Sequence, residues 1–165
     1  MGFEIFVGAF HKGESSTFSF DLVENAFASA ITNRMEIRDG SFSWTIEYEL
    51  EHPENVPSTI VINGVEHPVL SGDCGEIYIS LKDPTRRLTG GFMVTGIPMN
   101  LAFYQSLLTV LQATHTALYW PGKNSLVIGR EDMIEHLPQD MSDVLGEPFL
   151  VTRAEQIIER LDASW

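Results

Sequence analysis

One cysteine and five histidines are the residues through which this 165-residue chain could carry out nucleophilic or metal chemistry. Cys74 stands in Ser71-Gly72-Asp73-Cys74-Gly75-Glu76. A nucleophilic thiol works as the thiolate, which a helix N-terminus, a cation or an adjacent base favours. Asp73 and Glu76 act in the opposite sense, because a nearby negative charge disfavours a second one. Cys74 would need a histidine delivered from elsewhere in the fold, and otherwise reads as a turn cysteine ahead of a strand. With no second cysteine, an intramolecular disulfide and a thiolate-based zinc site are both excluded.

His11, His52, His67, His115 and His136 form no HxH, HxxxH or HExxH pair. No two of them are therefore set on one helical face as ligands, and neither a metal nor a cofactor is expected. Thr89-Gly90-Gly91-Phe92 has adjacent glycines but neither GxGxxG spacing nor a Walker lysine, and reads as a bend or bulge before a strand at Phe92. There is no GxSxG elbow for a serine nucleophile. Carboxylate pairs abound, but acidic composition alone produces them, so they do not single out glycosidase-like chemistry.

That composition is the dominant feature. Asp and Glu number 23 against 10 Lys and Arg, for a net charge of −13. A field of this sign repels nucleic acid and anionic membranes, since phosphate binding needs clustered cations. The only adjacent cationic pair is Arg86-Arg87. Two stretches concentrate the acid. Glu47, Glu49 and Glu51 alternate along one strand and so project to one side. Glu131, Asp132, Glu135, Asp140, Asp143 and Glu147 follow Arg130 with no other cation among them. Like charges at this density either spread into solvent or meet a basic partner. The N-terminal MGFEIFVGAF is apolar but contains Glu4, lacks a basic leader region, and is too short to span a bilayer. The Gly2 context lacks the Ser or Thr of a myristoylation signal. A cytoplasmic location is expected.

The elements that must position these residues are read from periodicity. Phe3 to Phe10 reads as a buried first strand. Asp21 and Glu24 suggest a capping box for a first helix, with Leu22, Val23, Ala26, Phe27, Ala30 and Ile31 on its apolar face. Asp39-Gly40 is a hairpin turn, after which Trp44, Ile46, Tyr48 and Leu50 alternate with polar residues. Asn63-Gly64 joins strands at Thr59–Ile62 and Val65–Leu70, and Glu76–Leu81 is a further strand. Four or five consecutive strands joined by short turns imply an antiparallel meander. A helix follows Pro98 over Leu101–Ala113, with Leu101, Tyr104, Leu107, Leu108 and Leu111 as its stripe. Strands at Ala117–Trp120 and Ser125–Ile128, a short helix from Pro138 to Leu145 stopped by Gly146, a strand at Phe149–Val151 and a terminal helix capped by Thr152 and Glu155 complete the chain. The expectation is an α+β fold, one domain over residues 1–165, with a mainly antiparallel sheet and about three helices packed against it.

Several segments carry a resemblance. They are Cys74-Gly75-Glu76-Ile77-Tyr78-Ile79, Gly91-Phe92-Met93-Val94, the Leu101–Leu111 helix, Leu118-Tyr119-Trp120-Pro121-Gly122, His136-Leu137-Pro138-Gln139-Asp140 and Leu145-Gly146-Glu147-Pro148. Together they span roughly the C-terminal half, and here the chain resembles small acidic α+β proteins encoded beside bacterial polymorphic toxins, immunity proteins among them. The resemblance implies a non-enzymatic protein whose acidic face occludes the cationic groove of a toxin. The implied contacts are Glu47, Glu49, Glu51, Glu131, Asp132, Glu135, Asp140 and Asp143, with Trp120 and Trp165 as anchors. A competing expectation is an enzyme or small-ligand binder with a pocket between helices and sheet, drawing on Tyr78, His115, Trp120 and Cys74. A third is a homo-oligomer, such as a dimer paired through an edge strand.

Overall fold

The computed structural model describes residues 3–50, 59–68 and 72–164. Its centre is β1 (Glu4–His11), in which Ile5, Val7 and Ala9 are buried on one side while Phe6 and Phe10 are half-buried on the other. Among the described residues it lies in a path of eight strands in the order β12 (Phe149–Leu150), β11 (Leu126–Ile128), β10 (Thr116–Tyr119), β1, β9 (Leu88–Thr95), β8 (Gly72–Asp83), β5 (Ser41–Glu49) and β4 (Ile31–Arg38). Every neighbouring pair on this path is antiparallel except β11 with β12. The short β2 (Glu14–Ser15) and β3 (Phe18–Ser19) attach to β1 and β9. The class is α+β with a large, mainly antiparallel sheet, as the periodicity predicts.

The meander is interrupted. β4, β5, β8 and β9 are consecutive neighbours, but β6 (Thr59–Ile62) and β7 (Val65–Pro68) pair only with each other. Period two within a strand cannot say which strand lies beside it, so this excursion is invisible to pattern. Cys74 is likewise inside β8, opposite Glu47, and not in a turn.

Four α-helices form among the described residues, against an expectation of about three. In α1 (Phe20–Phe27) the cap is Ser19, whose Oγ accepts from the Leu22 N–H at 3.1 Å. Asp21 instead pairs with Arg87 at 2.8 Å. Ala30 and Ile31 lie beyond this helix, because Ile31 has already entered β4 opposite Ile46. α2 (Leu101–Ala113) starts where expected, with Asn100 Oδ1 accepting from the Ala102 N–H. Phe103 and Val110 complete its buried face, while Leu101 and Leu108 sit half-buried at its margin. At α4 (Ala154–Asp162) the capping acceptor is Gln156 Oε1, which takes the Thr152 and Arg153 N–H groups at 2.7 and 3.1 Å, in place of Glu155.

α1, α2 and α4 close over one side of the sheet. Ile5, Val7, Trp44, Ile46, Ile77 and Val94 meet Phe20, Phe27, Phe103, Leu107 and Ile157 there in one continuous core. A 3-10 helix at Glu131–His136 and α3 (Gln139–Leu145), stopped by Gly146 at φ 94°, pack on the opposite side. They bury Ala117, Leu126 and Ile128 under Met133, Leu137 and Met141. The sheet is thus covered on both sides at β10–β11 but, among the described elements, on only one side across β1, β9, β8 and β5. No helix among the described residues is long and apolar enough to cross a membrane.

Candidate functional site

The uncovered side of the sheet follows from strand register. Tyr78, Met93, Phe6 and Tyr119 oppose one another across β8, β9, β1 and β10. Paired residues point the same way, so this row faces away from α1, α2 and α4. Toward the next row, Gly91 opposes Gly8, and Ser41 opposes Ser80 with their hydroxyls 2.9 Å apart. A trough of about 460 Å³ opens here. Gly8, Gly90 and Gly91 make its floor. Phe6, Phe10 and Tyr119 form one wall, and Ile37, Arg38, Ser41, Tyr78, Ser80 and Lys82 the other. A Cβ at Gly91 would stand 2.2 Å from the Val7 carbonyl oxygen, and one at Gly8 would touch the Phe10 ring at 3.3 Å. The glycines therefore let the backbones approach, and the pairing register shifts beside them between Ile79 and Leu81. The bend expected ahead of Phe92 lies inside β9.

The two acidic stretches lie outside the trough lining. Glu47 and Glu49 are exposed on β5, on the side opposite the buried Trp44 and Ile46. Glu131, Asp132 and Glu135 on the 3-10 helix, with Asp140 and Asp143 on α3, are also exposed. Both of those elements pack through Met133, Met141 and Leu145 onto the non-α2 side of the sheet. All seven carboxylates thus share one side of the molecule. Glu51 lies outside the described residues.

Asp132 differs from its neighbours. Arg130 grips it through Nε and Nη2 at 2.9 and 2.8 Å, and His115 Nε2 lies 3.1 Å away. The Arg130 guanidinium first, then His115, holds the Asp132 carboxyl well below the usual carboxylate range. In return Arg130 is held above its own ordinary value. Glu131, Asp140 and Asp143 make no ion pair among the described residues.

Three histidines that sequence spacing keeps apart come together at this rim. The His136 ring stacks on His11 at 4.9 Å and lies 4.6 Å from His115. His136 is buried, and its Nδ1 accepts the Lys12 N–H at 3.1 Å. That bond places any ring proton of the neutral form on Nε2, which faces Glu135 at 3.4 Å. Backbone bonds from Phe10 to His115 and from Gly13 to His136 lock the arrangement. Stacked rings bring faces together, not lone pairs, and no group of three His, Cys, Asp or Glu among the described residues is set to hold a metal ion. His52 lies outside the described residues, and His67 is described only as backbone in β7.

The four residues expected to share a pocket are dispersed. Tyr78 lines the trough and donates a short hydrogen bond to Glu76, which pushes its hydroxyl pKa up. Cys74 is exposed on β8, His115 sits at the Asp132 rim, and Trp120 is 1% exposed in the core. The interface between sheet and helices, where that pocket was expected, is filled by core side chains; the hollow lies on the other side because Tyr78 and Cys74 have the opposite strand parity to Ile77 and Ile79. Burial also removes Trp120 from the role of a surface anchor, and Trp165 lies outside the described residues. Sequence reasoning missed Gly8, Arg38 and Lys82. The signal for Gly8 was present, since it alternates with Phe6 and Phe10 on the less buried side of β1. Comparisons of the chain with protein-family models, with curated proteins and with solved structures each return no match.

Proposed function

We propose that this chain is a non-enzymatic acidic binding protein that docks on a cationic protein and occludes its basic site, in the manner of an immunity protein against a toxin. One observation supports this reading: both acidic stretches, far apart in sequence, are carried on the same side of the sheet, Glu47 and Glu49 on the face of β5 opposite Trp44 and Ile46, and Glu131, Glu135, Asp140 and Asp143 on the 3-10 helix and α3 that pack there. A partner with a matching basic surface would be steered in rapidly, and salt would slow its capture. Asp132 contributes least, because Arg130 and His115 already neutralise it.

The test uses the native host. The purified chain is immobilised, and proteins retained at low and moderate salt are identified and then titrated individually. The expected result is a basic protein, released by salt, whose own activity the chain inhibits. Reversal of Glu47, Glu49, Glu131 and Glu135 to Lys is expected to weaken that binding by at least about tenfold. Reversal of Glu155 and Glu159, exposed on α4 across the molecule, is expected to leave it intact. Equal loss from both sets of reversals, or a partner indifferent to either, would sink the proposal.

A further inference from the structure

The trough has no acidic residue in its lining. The chain holds more than twice as many carboxylates as cations, yet no Asp or Glu lines the trough, while Arg38 and Lys82 both do. Neither cation has an ion-pair partner among the described residues, whereas Arg34, Arg87 and Arg130 are all paired. Arg38 opposes Ser41 across β4 and β5, and Ser41 opposes Ser80 across β5 and β8, so one guanidinium and two hydroxyls stand in a single cross-strand row. The Lys82 side chain lies over Gly90, where a Cβ would come within 2.9 Å of its Cε. At the far wall Phe6 stacks on Tyr119 with centroids 5.6 Å apart, and Phe10 leans over Gly8. Lys82 on β8 and the aromatic residues of β1 are separated by β9 alone, so their backbones stand roughly 10 Å apart, while Arg38 on β4 lines the trough from two strands farther out.

We propose that this trough is a binding site for a small amphipathic anion: a planar apolar ring held against the wall of Phe6, Phe10 and Tyr119, with a carboxylate or phosphate head on Arg38, Lys82 and the Ser41 and Ser80 hydroxyls. The volume of about 460 Å³ suits a molecule of that size. The glycine floor gives a flat ring access to the sheet backbone, which any side chain would block. Arg38 supplies a planar fork for paired oxygens and Lys82 a mobile point charge, so the two together accept more than one oxyanion geometry. The site stands independently of the docking reading, since its ligand needs the isolated chain only.

The probe is 1-anilinonaphthalene-8-sulfonate, an aromatic sulfonate whose emission rises on burial. The intact chain is expected to bind one equivalent saturably, with shifts of the Gly8, Gly90 and Gly91 amide signals in an 15N–1H NMR spectrum. Arg38→Gln and Lys82→Gln, both exposed positions that leave the core untouched, are each expected to weaken it about tenfold. Glu47→Lys with Glu49→Lys, which tests docking, is expected to leave dye binding in place. Competition by phenyl phosphate or by 3-phenylpropionate identifies the preferred head group, and displacement by either supports the site. Unsaturable binding, affinity unchanged in both Gln variants, shifts confined to the hollow around Met141 and Val144, or equal displacement by benzyl alcohol would each overturn it.

Discussion

At the scale of single residues, two groups make the local electrostatics testable. Asp132 is exposed but doubly held, and its folded-state pKa lies below that of an unfolded chain. Its contribution to stability is therefore complete above about pH 4, the ordinary carboxylate value, and fades as pH falls toward the folded value. The urea midpoint of the wild-type chain is expected to exceed that of Asp132→Asn at neutral pH, with the gap narrowing on acidification. A gap that does not narrow would contradict the assignment. Tyr48 and Tyr104 act at the other end of the scale. Burial, with Asp73 beside Tyr48 and Asp162 beside Tyr104, pushes both hydroxyls up to about 12. Both stay protonated where the unfolded chain ionises, near pH 10. Stability is therefore present below pH 10 and lost as pH rises toward 12, and a denaturation series across that range should show the decline. The Tyr48 hydroxyl is moreover buried without a hydrogen-bond partner among the described residues. Tyr48→Phe removes a desolvated polar atom and is expected to leave the midpoint equal or higher, with less alkaline loss.

Among the elements, the contact between β9 and β1 decides the shape of the uncovered side. Gly91 faces Gly8 where these strands come closest. A methyl at Gly91 would overlap the Val7 carbonyl at 2.2 Å, so Gly91→Ala must push the central strands β1 and β9 away from each other. The expected loss is about 2 kcal/mol or more in the urea unfolding free energy, in the range of overpacked interiors. Wild-type stability in that variant would mean the strands are not held this close. The same contact explains why the trough lies here. Side chains along β1 and β9 are too small at this point to fill the surface that α3 covers farther along the sheet.

For the molecule as a whole, charge is the term that solution conditions can move. A net charge of −13 opposes compaction, and salt screens that repulsion over about 10 Å at 0.1 M. Raising NaCl from about 20 mM to about 500 mM is expected to lift Tm by roughly 5 °C. A flat or falling Tm would show that the internal pairs, such as Arg34 with Glu24 and Arg87 with Asp21, outweigh the repulsion. The edge strand β4 bears on self-association. Met35 and Ile37 are each 55% exposed there, but Arg34, Glu36 and Arg38 alternate with them. Charged residues along an edge oppose strand-to-strand pairing, which disfavours a dimer formed by that route.

Much of the architecture was legible from local pattern, because helices, turns and strand alternation are set by neighbours in sequence. The α2 span, the Gly146 stop, the Asp39-Gly40 hairpin and the antiparallel class all follow from it, as does the overall acidity. Caps were less legible: Ser19, Asn100 and Gln156 perform that role, since the choice among nearby polar residues depends on where the chain enters each helix. The candidate site was legible only in fragments. Period two assigns Glu47, Tyr78 and Gly8 to one side of their own strands, but it does not say that β1 lies between β9 and β10, or which side the helices will cover. Those choices depend on contacts across more than a hundred residues, such as His136 with Lys12. Only the tertiary structure could therefore gather the acidic stretches, stack three distant histidines, bury Trp120 and leave Arg38 and Lys82 facing an acid-free trough.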